Sequence, residues 1–267
     1  MNKILILAGG YSNEREISLK TAKSVYSELK KNKKYKIEIC EPNGEFVKNL
    51  RKFKPTVVLN LLHGRYGEDG YIQTILESER IKYTHSGVLS SSLAIDKDIS
   101  KKIFIKSNIA TPKYLKYSFK YFNKKKKFIE KLKNKIGFPL VIKPINEGSS
   151  VNVFICNEKN ISNNLVKLKH YKEILIEEFI GGREIQVAIM GKRKLGAIEL
   201  KPKRKFYDYK AKYEKKAGTD HIIPVDLSKS KMKNILNIAM CAHNVIGCRG
   251  ITRSDFKYYK GKFYLLE

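Results

Sequence analysis

The sequence of 267 residues contains no uninterrupted apolar run of the roughly 18–20 residues that a transmembrane helix needs. Its first apolar run, residues 4–8, is about five residues long, which is shorter than the roughly 7–15 residues of a secretory signal. Gly9 and Gly10 follow this run directly, so a buried first strand explains it better than a signal peptide. We therefore expect a cytoplasmic protein that does not associate with membranes.

Cysteine is scarce, and the four cysteines are scattered without a C-x-x-C pair (Cys40, Cys156, Cys241 and Cys248). A disulfide framework is not expected from this pattern in a chain of this length. Cys241, His243 and Cys248 could be grouped as a metal cluster. The same stretch also has the pattern of an apolar helix that runs into a strand, and we favour this second interpretation.

Acidic residues are few: 26 Asp and Glu stand against 55 Lys and Arg, which gives a net charge of +29. Such a charge raises the possibility of nucleic-acid binding. Most of the basic residues are Lys, however, whereas base readout and tight phosphate recognition favour Arg. We interpret the excess as a lysine bias at solvent-facing positions, without a specific nucleic-acid partner. The positive field should still attract anionic ligands.

The pattern of apolar residues predicts three domains. A β-α-β-α series, with a continuous apolar run at residues 56–62, predicts a small parallel α/β domain over residues 1–92. Helices and strands then alternate less regularly, which predicts an α+β unit over residues 93–180. Further strands, a long polar loop at about 202–220 and a helix at 231–246 make up a third unit over residues 181–267.

Two glycine-rich loops in the first predicted domain follow apolar strands. In residues 9–16, the carboxylate of Glu14 could hold a substrate ammonium group, although taken alone it is better explained as complementing a helix N-terminus, which contributes about 0.3–1 kcal/mol. Residues 63–70 contain His63 and three glycines after the most apolar strand. Ligand-binding loops lie at such strand ends in α/β sheets. The alternative is a glycine-rich connection in which His63 is incidental.

A lysine at a strand end, Lys143, precedes the small-residue turn at residues 147–150. A lysine can neutralise phosphate charge, and backbone N–H groups of such a turn can cradle a phosphate. The spacing is not that of a Walker A loop. Lys97 is a second candidate for a phosphate contact, but among so many lysines composition alone does not distinguish it.

Carboxylates mark the remaining candidate positions. Residues 177–184 have the character of a hinge that reads adenine and ribose: extended backbone can hydrogen-bond the adenine edge, and a carboxylate such as Glu184 can accept hydrogen bonds from ribose hydroxyls. Asp255 and Glu267 end two apolar strands, and Mg²⁺ is usually held by only one or two protein carboxylates together with substrate phosphates. The alternative for each is an ordinary surface carboxylate at a strand end.

Five motifs occur in one order along the whole chain: Gly9-Gly-x-Ser-x-Glu-Arg-Glu-x-Ser18, His63-Gly-x-x-Gly-Glu-Asp-Gly70, Lys143-Pro-x-x-Glu-Gly-Ser-Ser150, Tyr207-Asp-Tyr-x-Ala-Lys-Tyr213, and Arg253-x-Asp255 with Leu266-Glu267. Together they resemble the D-alanine–D-alanine ligase family of the ATP-grasp superfamily. The resemblance implies an ATP-grasp fold, in which an N-terminal parallel α/β domain is joined to central and C-terminal α+β domains that clasp ATP.

The resemblance also implies a reaction and roles for single residues. ATP phosphorylates the carboxylate of one D-alanine, and the amine of a second D-alanine attacks the acyl phosphate. The implied catalytic residues are Glu14, His63, Ser149, Tyr213 and Arg253. The implied nucleotide contacts are Lys97, Lys143, Lys212, Glu177 and Glu184. Asp255 and Glu267 would bind Mg²⁺ or Mn²⁺. A homodimer is the family expectation.

The family pattern continues beyond Glu267 with an asparagine metal ligand, an oxyanion-hole loop and a covering helix. We therefore expect the chain as given to have little or no turnover unless this segment is restored, because one oxyanion donor alone contributes about 10²–10³ in rate. Two alternatives stay open: a ligase for another carboxylate–amine pair, and a truncated ATP-binding homologue without catalytic activity.

Overall fold

The computed structural model describes residues 2–121, 125–148, 150–203 and 218–267. The chain divides into two compact units, Met1–Ile95 with Gly247–Thr252, and Asp96–Ile246 with Arg253–Glu267. The division of the second unit into domains 93–180 and 181–267 stays a prediction. Within the described part of the chain, every helix is too short or too polar to cross a membrane.

The first unit is built on a parallel sheet of three strands in the order β2-β1-β3. Its strands are β1 (Asn2–Leu7), β2 (Tyr35–Cys40) and β3 (Val57–Asn60), and its helices are α1 (Arg15–Leu29), α2 (Phe46–Phe53), α3 (Tyr71–Ser78) and α4 (Val88–Ile95). Successive residues of β1 point to opposite faces, so Leu5 and Leu7 join one apolar cluster and Ile4 and Ile6 join another. A sheet covered on both faces is the α/β arrangement that the continuous apolar runs predicted.

The second unit contains a four-stranded antiparallel sheet in the order β4-β7-β5-β6. Its strands are β4 (Tyr114–Ser118), β5 (Leu140–Pro144), β6 (Phe154–Cys156) and β7 (Glu173–Glu178). The accompanying helices are α5 (Lys97–Lys106), α6 (Lys125–Lys135) and α7 (Ile161–Lys167), with a short 3₁₀ turn at Phe119–Tyr121. The core of this sheet includes Leu140, Ile142 and Ile176, all fully buried.

A second sheet in the same unit has five strands in the order β10-β9-β8-β11-β12. They are β8 (Arg183–Met190), β9 (Arg193–Pro202), β10 (Thr219–Ile222), β11 (Ile251–Tyr259) and β12 (Lys262–Leu265). The helix α8 (Lys229–Val245) packs against β8 and β9. The mixture of a parallel α/β unit with antiparallel α+β sheets confirms the fold class expected from the sequence.

The stretch that contains Cys241 and His243 begins as a helix, as the second interpretation of its pattern predicts. All four are free thiols, and Cys241 and His243 lie on α8. Across the residues that the structure describes, His, Cys, Asp and Glu form no group of three or more that could hold a metal ion. Burial lowers the pKa of His243, as expected for a histidine on the inner face of a helix.

The core of the four-stranded sheet predicts a large difference between two identical substitutions. Ile176 is completely buried in β7, whereas Ile105 on α5 is 53% exposed. Ile176→Ala should lower the free energy of unfolding by about 2–5 kcal/mol, because it leaves a cavity in a packed core. Ile105→Ala should change it by no more than about 0.5 kcal/mol. Urea denaturation of both variants measures this, and equal effects would show that β7 is not a core strand.

Candidate active site

A pocket in the second unit collects most of the predicted nucleotide and metal residues. Six of them line it, together with the backbone segment Glu178–Ile180: Lys97, Lys143, Glu177, Glu184, Asp255 and Glu267. These residues come from α5, from β5 and β7 of one sheet, and from β8, β11 and the end of β12 of the other. The fold of this unit thus brings together residues that are as far apart in the sequence as positions 97 and 267.

The pairing of Lys143 with Glu177 follows from strand register. Val141 on β5 lies opposite Glu177 on β7. Side chains two residues apart share a face of the sheet, so Lys143 is the diagonal neighbour of Glu177 on that face. The Lys143 ammonium donates a hydrogen bond of 2.5 Å to Glu177 Oε1, and both side chains are buried. The sheet therefore fixes the position of Lys143 at the pocket wall.

Helix α5 contributes two lysines to the same region. Its N-cap is Asp96, whose carboxylate accepts hydrogen bonds of 3.0 Å from the N–H groups of Asp98 and Ile99. Lys97 donates a hydrogen bond of 2.5 Å to the carbonyl oxygen of Glu147, and its ammonium lies 3.3 Å from a Glu267 carboxylate oxygen. The capped helix therefore directs Lys97 toward the pocket.

Lys101, one turn after Lys97 on α5, was not predicted from the sequence. Its side chain is completely buried, and Nζ lies 3.0 Å from Glu177 Oε2. Residues four apart share a helix face, so the spacing from Lys97 was the signal that could have identified it. Glu177 thus has an ammonium group at each carboxylate oxygen.

The charges in this cluster depend on one another. Burial opposes ionisation of the Glu177 carboxyl, but the ammonium groups of Lys101 and Lys143 outweigh burial and lower its pKa below the ordinary value. Burial also lowers the pKa of Lys101, and the charge of Glu177 acts in the opposite direction. Glu177 is therefore an ionised carboxylate whose stability in the core depends on two lysines.

The main chains of Asp255 and Glu267 lie side by side. The N–H of Asp255 donates to the carbonyl oxygen of Glu267 at 2.9 Å, and the N–H of Leu266 donates to the carbonyl oxygen of Asp255 at 2.8 Å. Two neighbouring carboxylates offer the hard oxygen ligands that Mg²⁺ takes alongside phosphate oxygens. The two residues therefore have the chemistry of a Mg²⁺ site, and their role as metal ligands stays a prediction.

Arg253 pairs with Asp255 in this structure. Its Nε and Nη2 donate to the two carboxylate oxygens of Asp255 at 2.7 and 3.0 Å, and Gln186 adds a third hydrogen bond at 3.2 Å. Residues 253 and 255 stand on the same face of β11, which accounts for the contact. The expected role of Arg253 toward an oxyanion stays a prediction.

Glu184 is held by a lysine that the sequence did not single out. The ammonium of Lys257 donates a hydrogen bond of 2.8 Å to Glu184 Oε2, and both side chains are largely buried. Lys257 lines the pocket, and because it lies two residues after Asp255 it shares a face of β11 with that residue. This alternation along the strand could have identified Lys257 from the sequence, but it is not distinctive in a chain so rich in lysine.

The two glycine-rich loops of the first unit lie next to each other. Glu14 is buried and immediately precedes α1. A Cβ atom built onto Gly64 would lie 3.4 Å from Oε2 of Glu14, so the two loops are close together. The ring centroids of Tyr11 and Tyr66 are 6.1 Å apart, which joins the same two loops. His63 Nδ1 lies 3.8 Å from Glu68 Oε1. Glu14 and His63 thus lie in neighbouring loops, whereas Ser149, Lys212 and Tyr213 lie outside the described residues.

Comparison with known proteins gives consistent matches. A model of the family described as the D-ala D-ala ligase C-terminus matches residues 103–267. The D-alanine–D-alanine ligase of Pelagibacter ubique (strain HTCC1062) is 61% identical over 265 residues, covering 99% of this chain and 86% of the relative. The chain belongs to the D-alanine–D-alanine ligase family.

Solved structures of the D-alanine–D-alanine ligase family agree with this assignment. The enzyme from Bacillus anthracis has a TM-score of 0.85 and 32% identity, covering 100% of this chain and 86% of its own. Its complex with ATP has a TM-score of 0.82 and 27% identity, covering 100% of this chain and 85% of its own. The ATP-grasp fold expected from the five motifs is thereby confirmed.

The buried cluster predicts a pH-dependent contribution to stability from Glu177. Because folding lowers its pKa, this contribution is present above the ordinary value of 4.5 and is lost as pH falls through the folded value. At pH 7, Glu177→Gln should lower the free energy of unfolding by about 3–5 kcal/mol, since two buried ammonium groups lose their counterion. The difference between wild type and variant should shrink below pH 4.5.

Glu173→Gln is the matched control on the same strand. Glu173 pairs with Lys116 at 2.6 Å, but both side chains are more than 40% exposed. The loss at pH 7 should be no more than about 1 kcal/mol, as for other surface ion pairs. Urea titrations of both variants from pH 7 to pH 3 give the comparison, and equal losses would contradict the burial argument.

Proposed function

We propose that this chain ligates two D-alanines to D-alanyl-D-alanine at the expense of ATP, through an acyl phosphate, and supplies peptidoglycan precursors in the cytoplasm. The observation that carries the proposal is the pocket of the second unit, in which Lys97 and Lys143 stand near the carboxylates Glu184, Asp255 and Glu267. Ammonium groups for phosphates, a carboxylate for ribose and a carboxylate pair for Mg²⁺ are the groups that a magnesium nucleotide requires. The names of the relatives and the ATP complex of the Bacillus anthracis enzyme support the same assignment.

The proposed roles of the nucleotide residues are those that the family resemblance implies, and the positions of the described ones in the pocket support them. Lys97 and Lys143 neutralise phosphate charge, with Lys212 as a third proposed contact. The backbone after Glu177 faces the adenine, and Glu184 accepts hydrogen bonds from ribose hydroxyls. Asp255 and Glu267 hold Mg²⁺ or Mn²⁺, which when bound neutralises phosphate charge.

The proposed roles of the amino-acid residues rest on the family resemblance and on the buried position of Glu14. Glu14 holds the ammonium group of the first D-alanine, and Ser149 and Tyr213 are its hydrogen-bonded partners. A carboxylate oxygen of this D-alanine attacks the terminal phosphorus and ADP leaves. The amine of the second D-alanine then attacks the carbonyl carbon, phosphate leaves and the amine loses a proton. His63 lies near the reacting groups, and Arg253 stabilises the developing oxyanion. We also propose a homodimer, as in the family.

The substrate assignment is tested by product release. With the family's segment after Glu267 restored, the protein incubated with ATP, Mg²⁺ and D-alanine should release ADP, phosphate and D-alanyl-D-alanine in equal amounts, whereas L-alanine or D-lactate should give none. Asp255→Asn should lower the rate on the order of 100-fold, because a metal-bound phosphate contributes several kcal/mol of charge stabilisation. Asp220→Asn, at an exposed position of β10, is the control and should leave the rate unchanged. Equal release with L-alanine would overturn the assignment.

Glu184 gives a test of how the nucleotide is oriented. If its carboxylate accepts from ribose hydroxyls, Glu184→Gln should raise the KM for ATP about tenfold, since a hydrogen bond to a charged group contributes about 1.5–3 kcal/mol. The KM for 2′,3′-dideoxy-ATP should change little, because this analogue lacks both hydroxyls. Glu158→Gln, at an exposed position, should alter neither value. Equal increases for the two nucleotides would place the ribose elsewhere.

A further inference from the structure

Lys101, which has no role in the proposed reaction, is the most deeply buried lysine among the described residues. Lys101 is 0% exposed, and the described residues that line the nucleotide pocket include Lys97 and Lys143 but not Lys101. Its ammonium contacts Glu177 at 3.0 Å and lies 5.8 Å from the centre of the Tyr114 ring. A lysine is costly to bury, so its position calls for a specific electrostatic partner.

The cluster of Lys101, Glu177 and Lys143 carries one net positive charge, because two ammonium groups share one carboxylate. All three residues are less than 10% exposed, so water screens this charge only weakly. Of the two lysines, only Lys143 reaches the pocket wall. The unbalanced charge is therefore presented to whatever occupies the pocket, and an anion would complete the cluster.

Without Lys101, the same site would be close to neutral. Lys143 and Glu177 are 2.5 Å apart and would then form a simple ion pair, in which the carboxylate cancels most of the attraction of Lys143 for a second anion. Strand register places Lys143 and Glu177 on one face of the sheet as diagonal neighbours, which favours this contact. The additional positive charge comes from another element, α5.

We propose that Lys101 is a positioning residue for nucleotide binding: it offsets the charge of Glu177, so that Lys143 keeps a net positive charge for the phosphates. This inference rests on the proposed function, in which the pocket binds a nucleotide. It assigns different tasks to two lysines one turn apart on α5. Lys97 faces the pocket, and Lys101 acts through Glu177.

The test separates phosphate recognition from adenosine recognition. The dissociation constants of ADP, in excess Mg²⁺, and of adenosine are measured by calorimetry for wild type and Lys101→Met. We expect the constant for ADP to rise about tenfold or more and that for adenosine to change less than roughly twofold, because only ADP carries phosphates. Lys106→Met removes the same charge from an exposed position of α5 and should change neither constant.

A second variant distinguishes an electrostatic role from a merely structural one. In Lys101→Met/Glu177→Gln, the carboxylate that Lys101 offsets is gone, so the preference for ADP over adenosine should return to within roughly threefold of wild type. A structural role of Lys101 would give no such recovery. This double variant also carries the test if Lys101→Met alone fails to fold, as judged by circular dichroism.

Three results would overturn the inference: an unchanged ADP preference in Lys101→Met, a double variant that folds without recovering it, and a double variant that does not fold. The last counts against the inference because Lys101 would then be needed for more than offsetting Glu177. If the wild type binds neither ADP nor ATP, the proposed nucleotide site itself fails, and this outcome is distinct from the other three.

Discussion

The contact between Glu177 and its two lysines is the constraint on which the second unit depends. Glu177 belongs to β7, Lys143 to the adjacent strand β5, and Lys101 to helix α5. One carboxylate therefore ties two strands and a helix together inside the core. Removing the carboxylate or a lysine leaves a buried charge without its counterion, whereas in the intact cluster an ammonium group lies within 3.0 Å of each carboxylate oxygen. This arrangement holds Lys143 at the pocket wall.

The other groups of the pocket are arranged around that wall in pairs of opposite charge. Lys97 lies beside Glu267, Lys257 beside Glu184, and Arg253 beside Asp255. Each pair joins a candidate nucleotide or metal contact to a counterion. Such pairs hold long side chains in defined positions, which is what recognition of a phosphate, a ribose or a metal requires.

The sequence predicted the fold class and the residues whose motifs have a distinctive spacing. Lys143 and Glu177 were identified near the ends of their strands and Glu184 after a glycine pair, whereas Asp255, expected at a strand end, lies within β11. Lys101 and Lys257 were missed for a physical reason. Among 55 basic residues a buried lysine looks like any surface lysine, and only strand register and helix phase reveal which ones turn inward. The pairing of Arg253 with Asp255 was likewise not foreseen, although residues two apart on a strand share a face.

Lys97 and Lys143 are proposed to hold the phosphates of a nucleotide. A crystal structure of the protein with ADP and Mg²⁺ is the most direct test of this role. Phosphate oxygens should lie within about 2.7–3.2 Å of both ammonium groups, with Glu177 still in contact with Lys143. A nucleotide bound with its phosphates away from Lys143, or with its adenine against that lysine, would contradict the claim.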